Sequence, residues 1–192
     1  MLEQYPKSPT PSPAMQMNAC LQILEDIQEQ IRFADSKAGF IAAFNVLLFG
    51  VVATHLDKLR TLYGSGKETW AALIALAIVL VSLYAVFTVV SLALAVSCVI
   101  SRFGGGGVQS RVFFGHIAAH YGKDHARYVR DIRGMADADW VEQLGTQVVE
   151  VSRLALIKHR RARWAACSTF VSVLLWIVSL ATMVSIFWTQ AS

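Results

Sequence analysis

The chain has 192 residues, of which 55% are hydrophobic and 16% are charged, and its formal net charge at pH 7 is +4. This apolar fraction is too high for a soluble domain of this length and indicates a membrane protein. The basic balance does not by itself indicate nucleic-acid binding, because the positive residues lie beside long apolar runs, as membrane topology requires. The three cysteines lie far apart, and no metal or redox spacing links them.

The first long element is predicted to be one helix that enters a membrane partway along its length. Residues 1–14 are polar and proline-rich, which is typical of a disordered tail. Over 15–37 the apolar residues recur every three or four positions, which predicts a cytosolic amphipathic helix. The same seam continues into the first predicted transmembrane helix, 38–56, and a loop is expected over 58–69. Asn45 lies on this seam near mid-membrane, so we expect its amide to bond to another helix.

Two further apolar runs predict the other transmembrane helices. The run 70–100 is longer than a bilayer requires, so we expect its last turns to extend into the cytosol under the cover of other helices. The run 164–188 is long enough to cross. Each run carries a stripe of small or weakly polar residues, for which close helix packing is the first interpretation and pore lining the alternative. The stripes are Tyr84, Thr88, Ser91, Ala95 and Cys98 in the second run and Ser168, Ser172, Ser179 and Thr182 in the third.

The segment 101–163 between these runs is predicted to be helical, polar and cytosolic. Its four glycines, 104–107, are not followed by the residues of a phosphate-binding loop, so a linker is expected. His116 and His120 have the i, i+4 spacing of a metal pair, but no glutamate completes a zinc-hydrolase motif and no cysteine lies nearby. We therefore predict no metal site, no catalytic residue and no enzyme activity.

The distribution of positive residues predicts the topology. The segment 101–163 is rich in arginine and lysine, whereas the tail after Trp188 has neither, so this segment and the N-terminus are expected in the cytoplasm. The helices that emerge there have uncovered apolar faces and are expected to pack on each other. The predicted fold is thus an all-α membrane protein with three transmembrane helices, two of them continuous with a cytosolic helical stalk.

Several short motifs, in this order, resemble the Pycsar effector family of bacterial transmembrane proteins. They are Ala34-Asp35-Ser36-Lys37-Ala38 running into a span with Asn45, then Phe114-Gly115-His116-Ile117, and then the stretch from Gln147 to Lys158. The resemblance implies a membrane effector of an anti-phage defence system, activated by cyclic CMP or cyclic UMP from a partner cyclase. Such an effector impairs the bacterial inner membrane and causes abortive infection.

The resemblance also directs attention to particular side chains. A cyclic nucleotide offers an anionic phosphate and a flat base, for which basic and aromatic residues near the membrane surface are suitable partners. Asp35 can accept from the base or form a structural salt bridge, and these two roles are equally open. Lys37 can instead extend to the interface, and the basic residues after Lys158 can meet lipid headgroups. The candidate ligand-binding residues are Asp35, Lys37, Phe114, Gly115, His116, Arg153 and Lys158, and the candidate inter-helix polar residues are Asn45 and Gln147.

The expected partners are the lipid bilayer, the cyclic nucleotide and further copies of the chain, because three short helices cannot enclose a pore. No cofactor and no nucleic acid are expected. The alternative function is a non-conducting helical membrane scaffold that docks a cytosolic partner through its stalk.

Overall fold

A computed structural model of the chain describes residues 11–63, 71–100, 111–112 and 114–191. These residues form helices and short connections and contain no strand. The helices are α1 (Pro13–Tyr63), α2 (Ala71–Val99), α3 (Phe114–Tyr121), α4 (His125–Arg133) and α5 (Asp137–Ala191). The predictions for most of the tail, for the loop residues 64–69 and for the glycine linker 104–107 fall outside the described residues.

Helix α1 begins with local signals that explain its start. The Ser12 hydroxyl accepts a hydrogen bond from the Met15 amide at 3.4 Å, and Pro13 occupies the first helical position, where its missing N–H costs nothing. The helix therefore starts just inside the segment predicted as a tail. At its other end it continues to Tyr63, so the predicted loop was wrong for residues 58–63. The charged residues after His55 do not end this helix, because lysine, arginine and leucine are good helix formers.

Three helices are long and apolar enough to cross a membrane. They lie in the stretches Pro13–Gly50, Ala71–Val99 and Asp137–Ile186. The first and third of these also contain polar stretches, and α1 and α5 run through both without a break. The predicted class, an all-α protein with three potential transmembrane helices of which two extend into polar segments, is confirmed.

The chain divides into two compact units, to which α1 and α5 both contribute. The first comprises the described residues of Met1–Ile31 and Arg102–Leu156 and is called the polar unit below. The second comprises those of Arg32–Ser101 and Ile157–Ser192 and is called the span unit.

The span unit is packed through small residues at one level and larger ones at another. The small cluster joins α1, α2 and α5 through alanines and a cysteine, which allow helix backbones to approach closely. The larger cluster is built around Tyr84 of α2, with Leu48 of α1 and Met183 of α5. The stripe predicted on α2 is buried along its whole length, which confirms close packing as its role in this structure. The small cluster contains Ala38, Ala95, Cys98, Ala162 and Ala165.

The outer face of the span unit is apolar and exposed. Large side chains on all three helices, such as Phe40, Leu47 and Phe170, are more than half exposed. Contiguous exposed apolar surface of this kind is unfavourable in water and suits contact with lipid tails. Several polar side chains of the same helices, among them Asn45, Ser91 and Ser172, are buried inside.

The polar unit is ordered by helix caps that the sequence supplies locally. Gly122 follows α3 with a φ of +54°, the left-handed conformation that glycine adopts most readily after a helix. Asp124 caps α4 by accepting from the Arg127 amide at 3.0 Å. Asp139 in the first turn of α5 accepts from the Ala136 amide at 3.1 Å. These caps set the positions of α3, α4 and the start of α5.

Candidate functional site

A polar cluster lies at the centre of the span unit around Asn45. The Asn45 side-chain amide donates to the Ile41 carbonyl at 2.8 Å and lies 3.1 Å from the Ser91 hydroxyl and 2.9 Å from the Thr169 hydroxyl. The two hydroxyls are 2.7 Å apart, and both reach the Ala165 carbonyl. Asn45 therefore links α1 to α2 and α5, the inter-helix role expected from the sequence.

One atom of this cluster has no hydrogen-bond partner. Asn45 is fully buried, and its Oδ1 atom accepts no hydrogen bond from the described residues. Reversing the amide would place an acceptor against the Ile41 carbonyl, so the observed orientation is the better one. The cluster is thus well bonded on its donor side and unsatisfied on its acceptor side, which costs stability in an apolar interior.

An ion pair joins α1 to α5 in the same unit. The Lys158 ammonium lies 2.6 Å from Oδ1 and 2.7 Å from Oδ2 of Asp35. The Lys158 side chain is 4% exposed and that of Asp35 is 32% exposed. The buried ammonium therefore needs the carboxylate as its counter-charge, whereas water can partly solvate the carboxylate. Of the two roles considered for Asp35, the structure shows the salt bridge.

Cys98 of α2 closes this site from a third side. Its sulfur lies 3.4 Å from the Lys158 carbonyl and 4.0 Å from Asp35 Oδ1, and the residue is fully buried. A thiol is small enough to fit where three backbones approach and is a weak donor to both oxygens. Ala34, directly before the aspartate, is also fully buried. Space for an additional ligand is therefore scarce around the ion pair.

One arginine of the predicted headgroup-binding set has a specific structural partner instead. The Arg161 guanidinium donates to the Ser97 carbonyl at 2.7 Å, in the last turn of α2. The final carbonyls of a helix lack intrahelical partners and carry a partial negative charge, which a cation stabilises. The last turn of α2 has no basic residue of its own. On α5, Arg160 and Arg163 lie close to Arg161 in the sequence and are exposed, so both are still suited to binding lipid headgroups.

A separate, polar cavity lies within the polar unit. Its volume is about 370 Å³, within the range of about 300 to 1,000 Å³ that is typical of small-molecule sites. It lies among α3, α4, the first turns of α5 and the residue Arg111 that precedes α3. Its lining mixes cations, carboxylates and an aromatic ring. The lining residues are Arg111, His116, His120, Tyr121, Asp131, Met135, Asp139, Glu142 and Gln143.

Two contacts fix the backbone at Arg111 in the cavity wall. Its amide donates to Gln143 Oε1 at 3.0 Å, and its carbonyl accepts from the Tyr128 hydroxyl at 3.3 Å. The Arg111 guanidinium has no hydrogen bond or ion pair with any described residue, and neither has the Glu142 carboxylate. Two opposite charges therefore line the same cavity without pairing with each other.

Tyr121 supplies the cavity with a buried aromatic wall. Its hydroxyl donates to Asp131 Oδ2 at 3.0 Å, and its ring makes edge contacts with Tyr128 and His120. Burial raises the pKa of the Tyr121 phenol, and the hydrogen bond to the Asp131 carboxylate raises it further. The phenol is therefore neutral at physiological pH, and its proton holds Asp131 in place. His120 lies 3.3 Å from the Arg127 guanidinium.

The structure divides the candidate ligand-binding residues between the two units. Asp35 and Lys158 bind each other in the span unit, and Lys37 is exposed there with its ammonium over the Phe33 ring. Lys37 thus takes no part in the contacts of Asp35. The remaining ligand-binding candidates lie in the polar unit: Phe114 begins α3, Gly115 and His116 follow it, and Arg153 is exposed. Gln147, the second candidate inter-helix residue, is buried on α5.

Of the candidates in the polar unit, His116 lines the cavity. Gln147 lies one turn beyond the cavity residue Gln143 on α5, and its Oε1 accepts no hydrogen bond from the described residues. The sequence reasoning missed Arg111, Tyr121 and Glu142, because residues from separate helices meet there and no local spacing marks them. The pair His116 and His120 was noticed for its i, i+4 spacing, yet no group of three metal-ligating side chains occurs in the described ranges.

Helices of this length and composition, with polar side chains turned inward and apolar ones outward, define a helical membrane protein. A family model described as the Pycsar effector protein domain matches residues 19–185. The chain therefore belongs to the Pycsar effector family and is an anti-phage effector of the transmembrane type. Searches among curated proteins and among solved structures gave no match.

Proposed function

We propose that this chain is a membrane effector that a cyclic pyrimidine mononucleotide activates and that then impairs the bacterial inner membrane. The trigger is cyclic CMP or cyclic UMP made by a partner cyclase, and the outcome is abortive infection. The observation that carries the proposal is the family match over 19–185, which takes in most of the polar unit and all three potential transmembrane helices. No cofactor and no catalytic step are needed, since binding energy alone shifts a conformational equilibrium.

The helices offer a physical route for the signal. Both α1 and α5 contribute residues to the polar unit and to the span unit, and each is a single unbroken helix. A change in the packing of the polar unit therefore acts on the same two helices, α1 and α5, that pack in the span unit. The ion pair of Asp35 with Lys158 and the cluster around Asn45 are the contacts that such a movement has to disturb.

Most residues of the two polar stripes are buried within one chain, and Ser168 and Thr182 are partly exposed. Ser91 and Thr88 of α2 and Ser172 and Ser179 of α5 are buried inside the bundle of one chain. A leak lined by these hydroxyls requires the three helices to separate or rotate, and several copies have to assemble around it. Activation is thus a repacking of the span unit rather than the opening of a pre-existing channel.

Reconstituted protein tests this function directly. Liposomes that contain the purified chain and a self-quenched dye should stay tight alone and with cyclic AMP, and they should release dye with cyclic CMP or cyclic UMP. Protein-free liposomes with each nucleotide are the control. Vesicles that remain tight with both pyrimidine nucleotides, at protein densities where the chain is folded and oriented both ways, would refute the proposal.

The expected orientation has the N-terminus and the polar unit in the cytoplasm, because basic residues are abundant in 101–163 and absent after Trp188. Labelling of intact spheroplasts with a membrane-impermeant thiol reagent tests it. A Ser152→Cys variant in the polar unit should react only after lysis, whereas reaction in intact spheroplasts would reverse the orientation.

One observation supports the alternative function, a non-conducting membrane scaffold. Several large apolar side chains of the polar unit are exposed, and such surface favours a protein partner or another copy. A scaffold would co-purify with a defined cytosolic partner whether or not nucleotide is present, and its liposomes would never leak. The exposed residues are Met15, Leu21, Ile23, Val129, Val149 and Leu156.

A further inference from the structure

The cavity of the polar unit contains charges that the described residues leave without partners. The Arg111 guanidinium and the Glu142 carboxylate both line it, and neither forms a hydrogen bond or ion pair with any residue that the structure describes. Their side chains do not reach each other within ion-pair distance, so space separates them. An arginine held by its backbone beside a space of about 370 Å³ is placed to receive an anion.

We infer that this cavity, rather than the region of the Asp35–Lys158 pair, is the site that binds the activating cyclic nucleotide. The inference rests on the proposed function for the identity of the ligand and on the cavity for its location. Arg111 binds the cyclic phosphate, Glu142 accepts from a hydroxyl or N–H group of the nucleotide, and Tyr121 provides an aromatic wall for the base.

The chemistry of the lining fits such a ligand better than a simple anion or a simple cation. A cyclic mononucleotide has one negative charge, several hydrogen-bond donors and one aromatic ring. The cavity offers a guanidinium for the phosphate, a carboxylate for the donors and an aromatic ring in its wall. Arginine suits phosphate because its planar fork makes two parallel charge-assisted hydrogen bonds. Inorganic phosphate alone would place a second anion near the Glu142 carboxylate without any donor group for that carboxylate, and the two negative charges would repel each other.

The rest of the lining keeps these groups in place. Gln143 holds the Arg111 amide, and the Tyr121 hydroxyl holds Asp131. Asp139 is engaged in the cap of α5 through the Ala136 amide. Arg111 and Glu142 are exposed and are unpaired among the described residues, so a ligand can contact them without breaking a bond within that part of the chain. Binding would join the segment before α3 to α5, which also contributes to the span unit.

The ion-pair region is a poorer candidate for the same ligand. Lys158 is satisfied by both carboxylate oxygens of Asp35, and Cys98 fills the adjoining space. A phosphate would have to displace the carboxylate from a nearly fully buried ammonium. The Arg161 guanidinium already donates to the Ser97 carbonyl at the end of α2.

The test is calorimetric titration of the detergent-solubilised full chain with cyclic CMP, cyclic UMP and cyclic AMP. Arg111→Ala and Glu142→Gln should each weaken pyrimidine nucleotide binding by about tenfold or more, the effect of losing one hydrogen bond to a charged group. The matched controls are Arg130→Ala and Glu25→Gln, which change exposed residues of the same unit outside the cavity lining. They should bind within about twofold of the wild type, since surface substitutions rarely exceed this.

The outcomes separate this inference from the function on which it rests. If the wild type binds a pyrimidine nucleotide and both cavity variants bind equally well, the cavity is not the site and the proposed function stands. If the folded wild type binds none of the nucleotides, the trigger and the site both fail. Circular dichroism confirms that each variant is folded, and Arg111→Lys, which keeps the charge, should lie between the wild type and Arg111→Ala.

Discussion

The Lys158 ammonium contacts both carboxylate oxygens of Asp35, at 2.6 Å and 2.7 Å, although the two residues are 123 positions apart in the chain. The contact ties α1 to α5 close to the sulfur of Cys98 on α2. Its two members differ in exposure, at 4% for the lysine side chain and 32% for the aspartate. Water can reach the carboxylate if the lysine is removed, but it hardly reaches the ammonium if the carboxylate is removed.

This asymmetry predicts unequal effects of the two deletions. Asp35→Ala leaves a buried cation without a counter-charge and should lower the free energy of unfolding by about 3 kcal/mol. Lys158→Met keeps the apolar stem in place and leaves a partly hydrated carboxylate, so its cost should be nearer about 1 kcal/mol. Thermal unfolding in detergent, followed by tryptophan fluorescence, measures both. The double variant should be more stable than Asp35→Ala alone, because it no longer buries an unpaired ammonium.

Lys37→Met is the matched control, since Lys37 is exposed and lies two residues from Asp35 on the same helix. It should leave the midpoint of unfolding nearly unchanged. If Asp35→Ala, Lys158→Met and Lys37→Met lowered the free energy of unfolding equally, the ion pair would make no specific contribution to stability.

Arg161 should matter more than the arginines on either side of it. Arg161→Ala removes the hydrogen bond to the Ser97 carbonyl at the end of α2 and should cost about 1 to 2 kcal/mol. Arg160→Ala and Arg163→Ala, at exposed positions, should each cost less than about 0.5 kcal/mol. Unfolding midpoints of the three variants in one detergent give the comparison. Three equal midpoints would assign all of these arginines to lipid headgroups.

Asn45 should stabilise the span unit despite its unsatisfied oxygen. Asn45→Ala removes the donor that reaches the Ser91 and Thr169 hydroxyls and leaves a small cavity, with an expected loss of about 1 to 3 kcal/mol. The control is Val46→Ala, at the next position on the exposed face. The two variants are compared by thermal unfolding in the same lipid–detergent mixture. If Asn45→Ala were as stable as Val46→Ala, the amide would not be the link between the helices.

Ser172 provides a test of the resting state and of activation. The residue is fully buried, so a cysteine introduced there should resist a water-soluble thiol reagent in proteoliposomes without nucleotide. Ser152→Cys, on the exposed surface of the polar unit, should react quickly and serves as the reference. The three native cysteines are replaced by alanine in both. Addition of the activating nucleotide should make Ser172→Cys reactive, because a polar leak requires the buried stripes to become wet.

Rapid labelling of Ser172→Cys before nucleotide is added would show that the bundle is open at rest. Persistent protection during dye release would show that the leak does not pass along this face of α5. The rate of labelling is read by mass spectrometry.

The helical class was predictable because three apolar runs are long enough to cross a bilayer and the polar stretches next to the first and third repeat their apolar residues every three or four positions. The choice of which residues face the interior of each helix was predicted less well. Phe49 lies four residues after Asn45 and so continues the apolar repeat of α1, yet it is about half exposed, whereas its neighbour Leu48 is buried. On α5 the stripe was assigned to Ser168, but the neighbouring Thr169 is buried and bonds to Asn45. A repeat of three or four residues leaves a choice of neighbouring positions, and only the packed partners decide it.

The amino-acid sequence by itself determined that three helices are apolar enough to span a bilayer, that two of them carry polar extensions, and which family the chain resembles. These properties depend on residue composition and on the spacing of residues along the chain, both of which are the same in the unfolded and folded protein. Tertiary structure alone decided that Lys158 belongs to Asp35, that Arg161 caps α2, and that Arg111 and Glu142 share a cavity. Those relations join residues tens of positions apart, and their distances are set by the packing of several helices rather than by any spacing along one.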